Sequence, residues 1–127
     1  MQRPLPAKTP RPSWPDPWRC TVDLLVVSGC PGTELTVARI REATRALGIE
    51  VNVRFIIVDD DAQARALGFR GSPTVRVDGN DVDRDADERP IGVSCRLYAT
   101  GDGVEQAPPL AWIQAALARA APLLRPR

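Results

Sequence analysis

A strand, a helix and a second strand follow one another within residues 21–58, and this run constrains the fold more than any other part of the chain. Residues 21–28 are nearly all apolar, which is typical of a strand covered on both faces. The stretch Thr33–Leu47 repeats apolar residues at helical spacing, and Gly48 after it suits a helix C-terminus. Residues 51–58 read as the second strand. A β-α-β unit of this length predicts two parallel strands.

The remaining pattern would complete an α/β domain. Three consecutive aspartates precede a short helical stretch, and acidic side chains are favoured at a helix N-terminus. Pro108 and Pro109 open a final helix that Pro122 is expected to end, since proline has no N–H to donate. The other predicted elements are a short helix at 62–67, a third strand at Thr74–Val77, an exposed loop of solvated acidic side chains at 81–90, and a fourth strand at 93–99.

Residues 1–19 contain six of the 13 prolines, a density that forbids helix or central strand. We predict a Pro-rich N-terminal tail, flexible or packed on the surface. One domain at residues 20–124 follows it.

Composition excludes several classes of protein. The net charge of +1 argues against broad electrostatic binding of nucleic acid or of a membrane surface. Histidine is absent, so there is no Cys-His or Ser-His catalytic pair and no histidine metal ligand. No apolar run suits a membrane span or a signal core, and three cysteines are too few for a disulfide framework. We therefore predict a cytoplasmic protein with reduced thiols and no cofactor or bound metal.

Cys30 lies where the first strand turns into the helix, within the run Ser-Gly-Cys-Pro-Gly-Thr. The start of a helix offers unpaired N–H groups and a positive dipole end, which favour a thiolate over a thiol. Pro31 is predicted at the first helical position, where its missing N–H would have no partner. The sequence therefore predicts Cys30 as a nucleophile that its surroundings must activate.

Residues 67–75, Leu-Gly-Phe-Arg-Gly-Ser-Pro-Thr-Val, resemble the segment of thioredoxins that passes through a cis-proline into the third strand. Gly29-Cys30-Pro31 occupies the matching place of the redox cysteine, and the resemblance covers residues 21–77. The chain is also similar to small bacterial proteins that carry Gly-Cys-Pro, Arg-Gly-Ser-Pro-Thr-Val-x-Val-Asp-Gly and a later Cys-Arg-Leu-Tyr. Some of these are labelled thioredoxin family and some alkylmercury lyase.

The resemblance implies a thioredoxin-like fold, with a central four-stranded mixed sheet and about three helices in the order β-α-β-α-β-β-α. It also implies that Pro73 follows a cis peptide bond and lies beside Cys30. The backbone N–H and C=O of Ser72 would pair with an extended substrate, and Pro31 and Gly32 would complete the substrate-binding surface.

Thr33 stands where thioredoxins have their second cysteine, so a disulfide within the motif is excluded. We expect the Thr33 hydroxyl to donate a hydrogen bond to the Cys30 thiolate. Asp23 is the nearest candidate for the buried acid of thioredoxins. Arg70, close before the proline, is predicted to be exposed.

Cys95 is the candidate resolving cysteine, which would attack a mixed disulfide or sulfenic acid on Cys30. A fourth strand at 93–99 would begin at the far end of the sheet, beyond the ~7 Å Cα separation that a disulfide allows. Cys95 would then be a core residue sharing that end with Cys20, a packing residue. If the loop at 81–90 folds back, Cys95 would instead lie near Cys30.

The sequence thus predicts a monothiol thiol-disulfide oxidoreductase or thiol-dependent reductase with Cys30 as nucleophile. Its partners would be a protein disulfide or a small thiol or electrophile, with an external low-molecular-weight thiol as reductant. Two alternatives stay open: an organomercurial lyase-like or metal-handling protein, and a non-catalytic thioredoxin-like binding domain.

Overall fold

The computed structural model describes the backbone of residues 20–124 and the side chains of residues 20–120, and the tail predicted at 1–19 lies outside the described residues. The elements are β1 (Cys20–Val26), α1 (Thr33–Leu47), β2 (Val51–Ile57), α2 (Asp61–Leu67), β3 (Arg70–Ser72), β4 (Thr74–Val77), β5 (Asn80–Asp81), a 3₁₀ helix (Ala86–Glu88), β6 (Gly92–Cys95), β7 (Tyr98–Thr100), β8 (Gly103–Glu105) and α3 (Leu110–Leu124).

Four strands form one mixed sheet in the order β2-β1-β4-β5. β1 and β2 pair parallel along their whole length, as the β-α-β unit predicts. β1 pairs antiparallel with β4, which places Thr74 opposite Leu25, near the end of β1 that leads to Cys30. The predicted α/β architecture of a four-stranded mixed sheet and three helices is confirmed.

The prediction of a fourth strand at residues 93–99 is wrong. Asp78 and Gly79 have positive φ angles of 50° and 88°, so the chain reverses in a two-residue hairpin loop directly after β4. The short β5 thereby occupies the edge of β4. Residues 93–99 divide instead between β6, which pairs parallel with β3, and β7, which forms an antiparallel hairpin with β8.

The two faces of the main sheet are covered by different elements. Alternate residues of β1 point to opposite faces, so its even-numbered residues pack with α1 and α3 in the main core. Leu25 points to the other face, into a smaller core with Ala64 of α2 and Phe69, against which Val93 of β6 packs. Because Val93 packs against this second core, β6 lies near the end of β1 that leads to Cys30.

The helix ends follow local preferences with one exception. Asp60 is the N-cap of α2, and its side chain accepts a hydrogen bond from Gln63 N–H at 2.8 Å. Gly48, with φ 66°, ends α1 as predicted. α3 continues to Leu124, so the prediction that Pro122 ends it is wrong: a proline there removes one N–H donor without ending the helix. None of the described helices is both long and apolar enough to cross a membrane.

Candidate functional site

Cys30 lies in the turn between β1 and α1. Its N–H donates to the Val27 carbonyl at 3.2 Å, and its own carbonyl accepts from Thr33 N–H at 3.3 Å. Thr33 thus contacts Cys30 through its backbone N–H, whereas the prediction was a hydrogen bond from its hydroxyl to the Cys30 sulfur. The N-cap of α1 is Gly32, so Pro31 precedes the cap and the prediction that it takes the first helical position is wrong. The Cys30 side chain is half-buried against the main core.

Gly32 is a packing position. It is buried, and a Cβ atom there would collide with the backbone carbonyl of Gln106, in the loop before α3. Its carbonyl accepts from the Thr36 hydroxyl at 2.7 Å, which holds the first turn of α1. Of the two residues after Cys30 that were predicted to bind substrate, Pro31 is exposed and Gly32 is enclosed.

The turn between β3 and β4 lies beside the Cys30 turn. The Ser72–Pro73 peptide bond is cis, and both residues are buried. The Ser72 hydroxyl accepts a hydrogen bond from Val27 N–H at 3.0 Å. Because Val27 also accepts from Cys30 N–H, one residue connects the two turns.

Cys95 lies at the same end of the sheet as this pair of turns. It is the register partner of Ser72 in the β3–β6 pairing, and its side chain is exposed. The expected placement of Cys95 at the far end is therefore wrong, because the chain folds back after the loop predicted at 81–90, as the alternative interpretation required. The Ser72 carbonyl, which was predicted to bind substrate, accepts from Arg96 N–H at 2.8 Å.

Cys20 lies at the opposite end of β1 from Cys30. Burial, together with the charge of Asp78 and a hydrogen bond to it, raises the pKa of the Cys20 thiol to about 12. The side chain is fully buried in the main core, as a packing residue should be. Cys20 and Cys95 do not share an end of the sheet, and all three cysteines are free.

A buried ion network centred on Arg96 lies behind the proline turn. The Arg96 side chain is 0% exposed, and its Nη1 donates to Asp81 Oδ2 and Thr74 Oγ1, each at 2.9 Å. Its Nη2 donates to Asp81 Oδ1 and Asp83 Oδ2, each at 3.2 Å. Arg89 Nε donates to the same Asp83 oxygen at 3.0 Å. The prediction that these loop acids are solvated is wrong for Asp81 and Asp83, since a buried guanidinium requires counter-charges.

The network also determines the protonation states of Asp83 and Arg96. Burial alone would raise the pKa of Asp83, but hydrogen bonds from Asp85 N–H, Arg89 and Arg96 outweigh it and hold that pKa below its usual value. Burial would lower the pKa of Arg96, and the hydrogen bonds and charge of its partners raise it above the usual value instead. The Asp83–Arg96 pair therefore stays charged at neutral pH.

Tyr98 extends the network to the proline turn. Its hydroxyl donates to the Pro73 carbonyl, and burial raises the pKa of the phenol, which keeps the donor protonated. The guanidinium carbons of Arg96 and Arg89 lie 4.8 Å and 5.2 Å from the Tyr98 ring centroid. Neither Arg96 nor Tyr98 was predicted as a site residue. The available signal was the run Cys-Arg-Leu-Tyr, in which the arginine and the tyrosine fall on the same side of an extended chain.

Arg70 and Asp23, two further charged residues considered in the sequence analysis, are both hydrogen-bonded in the structure. Arg70 is half-buried, contrary to the prediction, and donates to the carbonyls of Asp87 and Arg89. Asp23 accepts two hydrogen bonds from Arg54, at 2.6 Å and 2.9 Å.

Among the side chains of residues 20–120, no group of three or more cysteine or acidic side chains is arranged to hold a metal ion. The chain matches no family model, no curated protein and no solved structure.

Proposed function

We propose that the protein is a thiol-dependent oxidoreductase with a thioredoxin-like fold, in which Cys30 is the nucleophile and the Ser72–Pro73 turn shapes its site. The observation that carries the proposal is the hydrogen bond from Val27 N–H to the Ser72 hydroxyl at 3.0 Å. Because Val27 also accepts from Cys30 N–H, the cysteine turn and the proline turn are held together. Cys30 packs against the main core and is half-buried, so part of the residue stays accessible to a reactant.

In the proposed reaction, the Cys30 thiolate attacks one sulfur of a substrate disulfide RSSR. The S–S bond breaks, RS⁻ leaves and takes a proton from solvent, and a Cys30–S–S–R mixed disulfide forms. A low-molecular-weight thiol R′SH then loses its proton and attacks the sulfur bonded to R. This step releases the Cys30 thiolate and forms RSSR′. Where Cys95 reaches Cys30, its thiolate would attack Cys30 Sγ instead, which releases RS⁻ and closes a Cys30–Cys95 disulfide.

Alkylation by iodoacetamide at about pH 6–7 tests the proposal, because an ordinary cysteine thiol is mostly protonated there and reacts slowly. Peptide mapping would follow each cysteine separately. We expect Cys30 to react faster than the more exposed Cys95, and the buried Cys20 to stay unmodified. A Cys30 rate no higher than that of a free cysteine would refute the proposal.

A second candidate function, the handling of organomercurials or soft metal ions, is favoured by the position of Cys95 opposite Ser72. Soft metals prefer thiolate ligands, and Cys30 and Cys95 lie at one end of the sheet. The test is retention of Hg²⁺ against a competing small thiol, with Cys95→Ser as the matched variant. Equal retention by the wild-type chain and the variant would exclude a two-thiolate site.

A further inference from the structure

We infer that the disulfides attacked by Cys30 are low-molecular-weight compounds and not extended polypeptides; this inference rests on the proposed function. It is based on the strand that pairs with the backbone of β3, beside Cys30. The chain's own strand β6 is paired along β3, so the edge to which an extended substrate would have to add is occupied.

Recognition of a peptide by strand addition requires free N–H and C=O groups on an exposed strand edge. Here the Ser72 carbonyl accepts from Arg96 N–H at 2.8 Å, and the Phe69 carbonyl accepts from Gly92 N–H at 3.0 Å. Ser72 itself is only 1% exposed. A peptide could therefore pair with the Ser72 carbonyl only after β6 had left.

β6 is held in place by the buried network that follows it directly. Arg96, next to Cys95, is bound by both Asp81 and Asp83. The backbones approach so closely that a Cβ atom at Gly71 would lie 3.0 Å from Arg96 Cβ. Displacing β6 would break these ion pairs and leave buried charges unpaired. This strand is therefore a fixed part of the site and not a lid that a peptide would move aside.

What remains open beside β6 suits a compact reactant. Pro31 and Cys95 are exposed and Cys30 is half-buried, whereas Ser72 and Pro73 are enclosed. Thiol–disulfide exchange requires access of the attacking sulfur to one sulfur of the disulfide, and no backbone partner. A small disulfide meets that requirement, while the residues flanking a peptide disulfide would meet an edge that is already filled.

The experiment compares two mixed disulfides of the same cysteine, each with 2-mercaptoethanol as the other thiol. One contains N-acetylcysteine amide, and the other an extended peptide of about ten residues with the cysteine at its centre. The reacting sulfurs and leaving groups match, so only the flanking backbone differs. Second-order rate constants for mixed-disulfide formation at each cysteine would be measured by mass spectrometry on the reduced wild-type, Cys30→Ser and Cys20→Ser chains.

We expect reaction at Cys30 to be at least about threefold slower with the peptide than with the amide compound, and no change in Cys20→Ser. Equal rates would show that the filled edge does not hinder a peptide, and backbone pairing would accelerate the peptide by about tenfold or more. Either result would overturn the inference and leave the proposed function standing. If Cys30→Ser loses no rate with either compound, Cys30 is not the nucleophile, and the proposed function fails together with the inference.

Discussion

Replacing Arg96 by methionine is expected to lower the free energy of unfolding by about 3–5 kcal/mol, the usual effect of removing one partner from a buried ion pair. The Arg96 side chain is 0% exposed, and its partners Asp81 and Asp83 are 13% and 6% exposed. The substitution would remove the counter-charge that both carboxylates share, and Asp83 would keep its ion pair with Arg89. Since a domain of this size has about 5–15 kcal/mol of stability, the loss would be a large share of the total.

The pair Arg54–Asp23, in which Asp23 is 13% exposed like Asp81 but the arginine lies at the surface, provides a control. It has comparable bidentate geometry, with distances of 2.6 Å and 2.9 Å, but the Arg54 side chain is 64% exposed. Arg54→Met should therefore cost no more than about 1 kcal/mol. Arg96 is buried and also binds Asp83 and Thr74, so the difference between the two losses measures the contribution of the whole buried network.

Urea unfolding, followed by tryptophan fluorescence and circular dichroism, would measure both losses, provided the slope with urea is unchanged. A third variant, Arg96→Met with Asp81→Asn and Asp83→Asn, removes the unpaired charges and should recover a large part of the stability. If Arg96→Met cost no more than Arg54→Met, or if the triple variant recovered nothing, the burial argument would be refuted.

Gly32→Ala should lower the free energy of unfolding by about 1–3 kcal/mol, because the added methyl group would collide with the Gln106 carbonyl. The control Gly92→Ala, whose methyl group meets nothing within 4 Å, should change it by less than ~0.5 kcal/mol. Equal losses in urea unfolding would contradict this. Tyr98→Phe removes the donor to the buried proline carbonyl and should cost about 1–3 kcal/mol, and a neutral variant would show that the carbonyl finds another partner. Asp83 has a lowered pKa in the folded state, so the stability it contributes is complete above about pH 5, where the unfolded side chain is ionised, and is lost progressively as the pH falls below that. Asp83→Asn should flatten the acid limb of the unfolding free energy against pH, and parallel limbs would argue against the assignment.

Local patterns predicted the elements whose stability depends on neighbours in the sequence. α1 has the predicted bounds Thr33–Leu47, because helical spacing and Gly48 mark its face and its end. The aspartates before α2 act at its N-terminus, where Asp60 caps the helix. The parallel pairing of β1 and β2 follows from the helix that connects them.

The strand predicted at residues 93–99 failed for a physical reason. Its apolar and β-branched residues indicate extended backbone, but they do not specify which edge that backbone joins. The two-residue hairpin at Asp78 and Gly79 brings β5 back alongside β4, so β5 pairs with that edge of β4. β6 pairs with β3 instead, and Cys95 therefore lies at the end of the sheet opposite to the one predicted.

Local sequence was sufficient to predict the β1-α1-β2 unit and the place of Cys30 in its turn, because periodicity and helix-end preferences act over a few residues. The pairing of β6 beside Ser72 and the burial of Arg96 depend instead on contacts between distant parts of the chain. Arg96 meets Asp81 and Asp83 across separations of 15 and 13 residues. Such a contact depends on loop closure and on the free energy of burying paired charges, and neither can be inferred from the local pattern of residues.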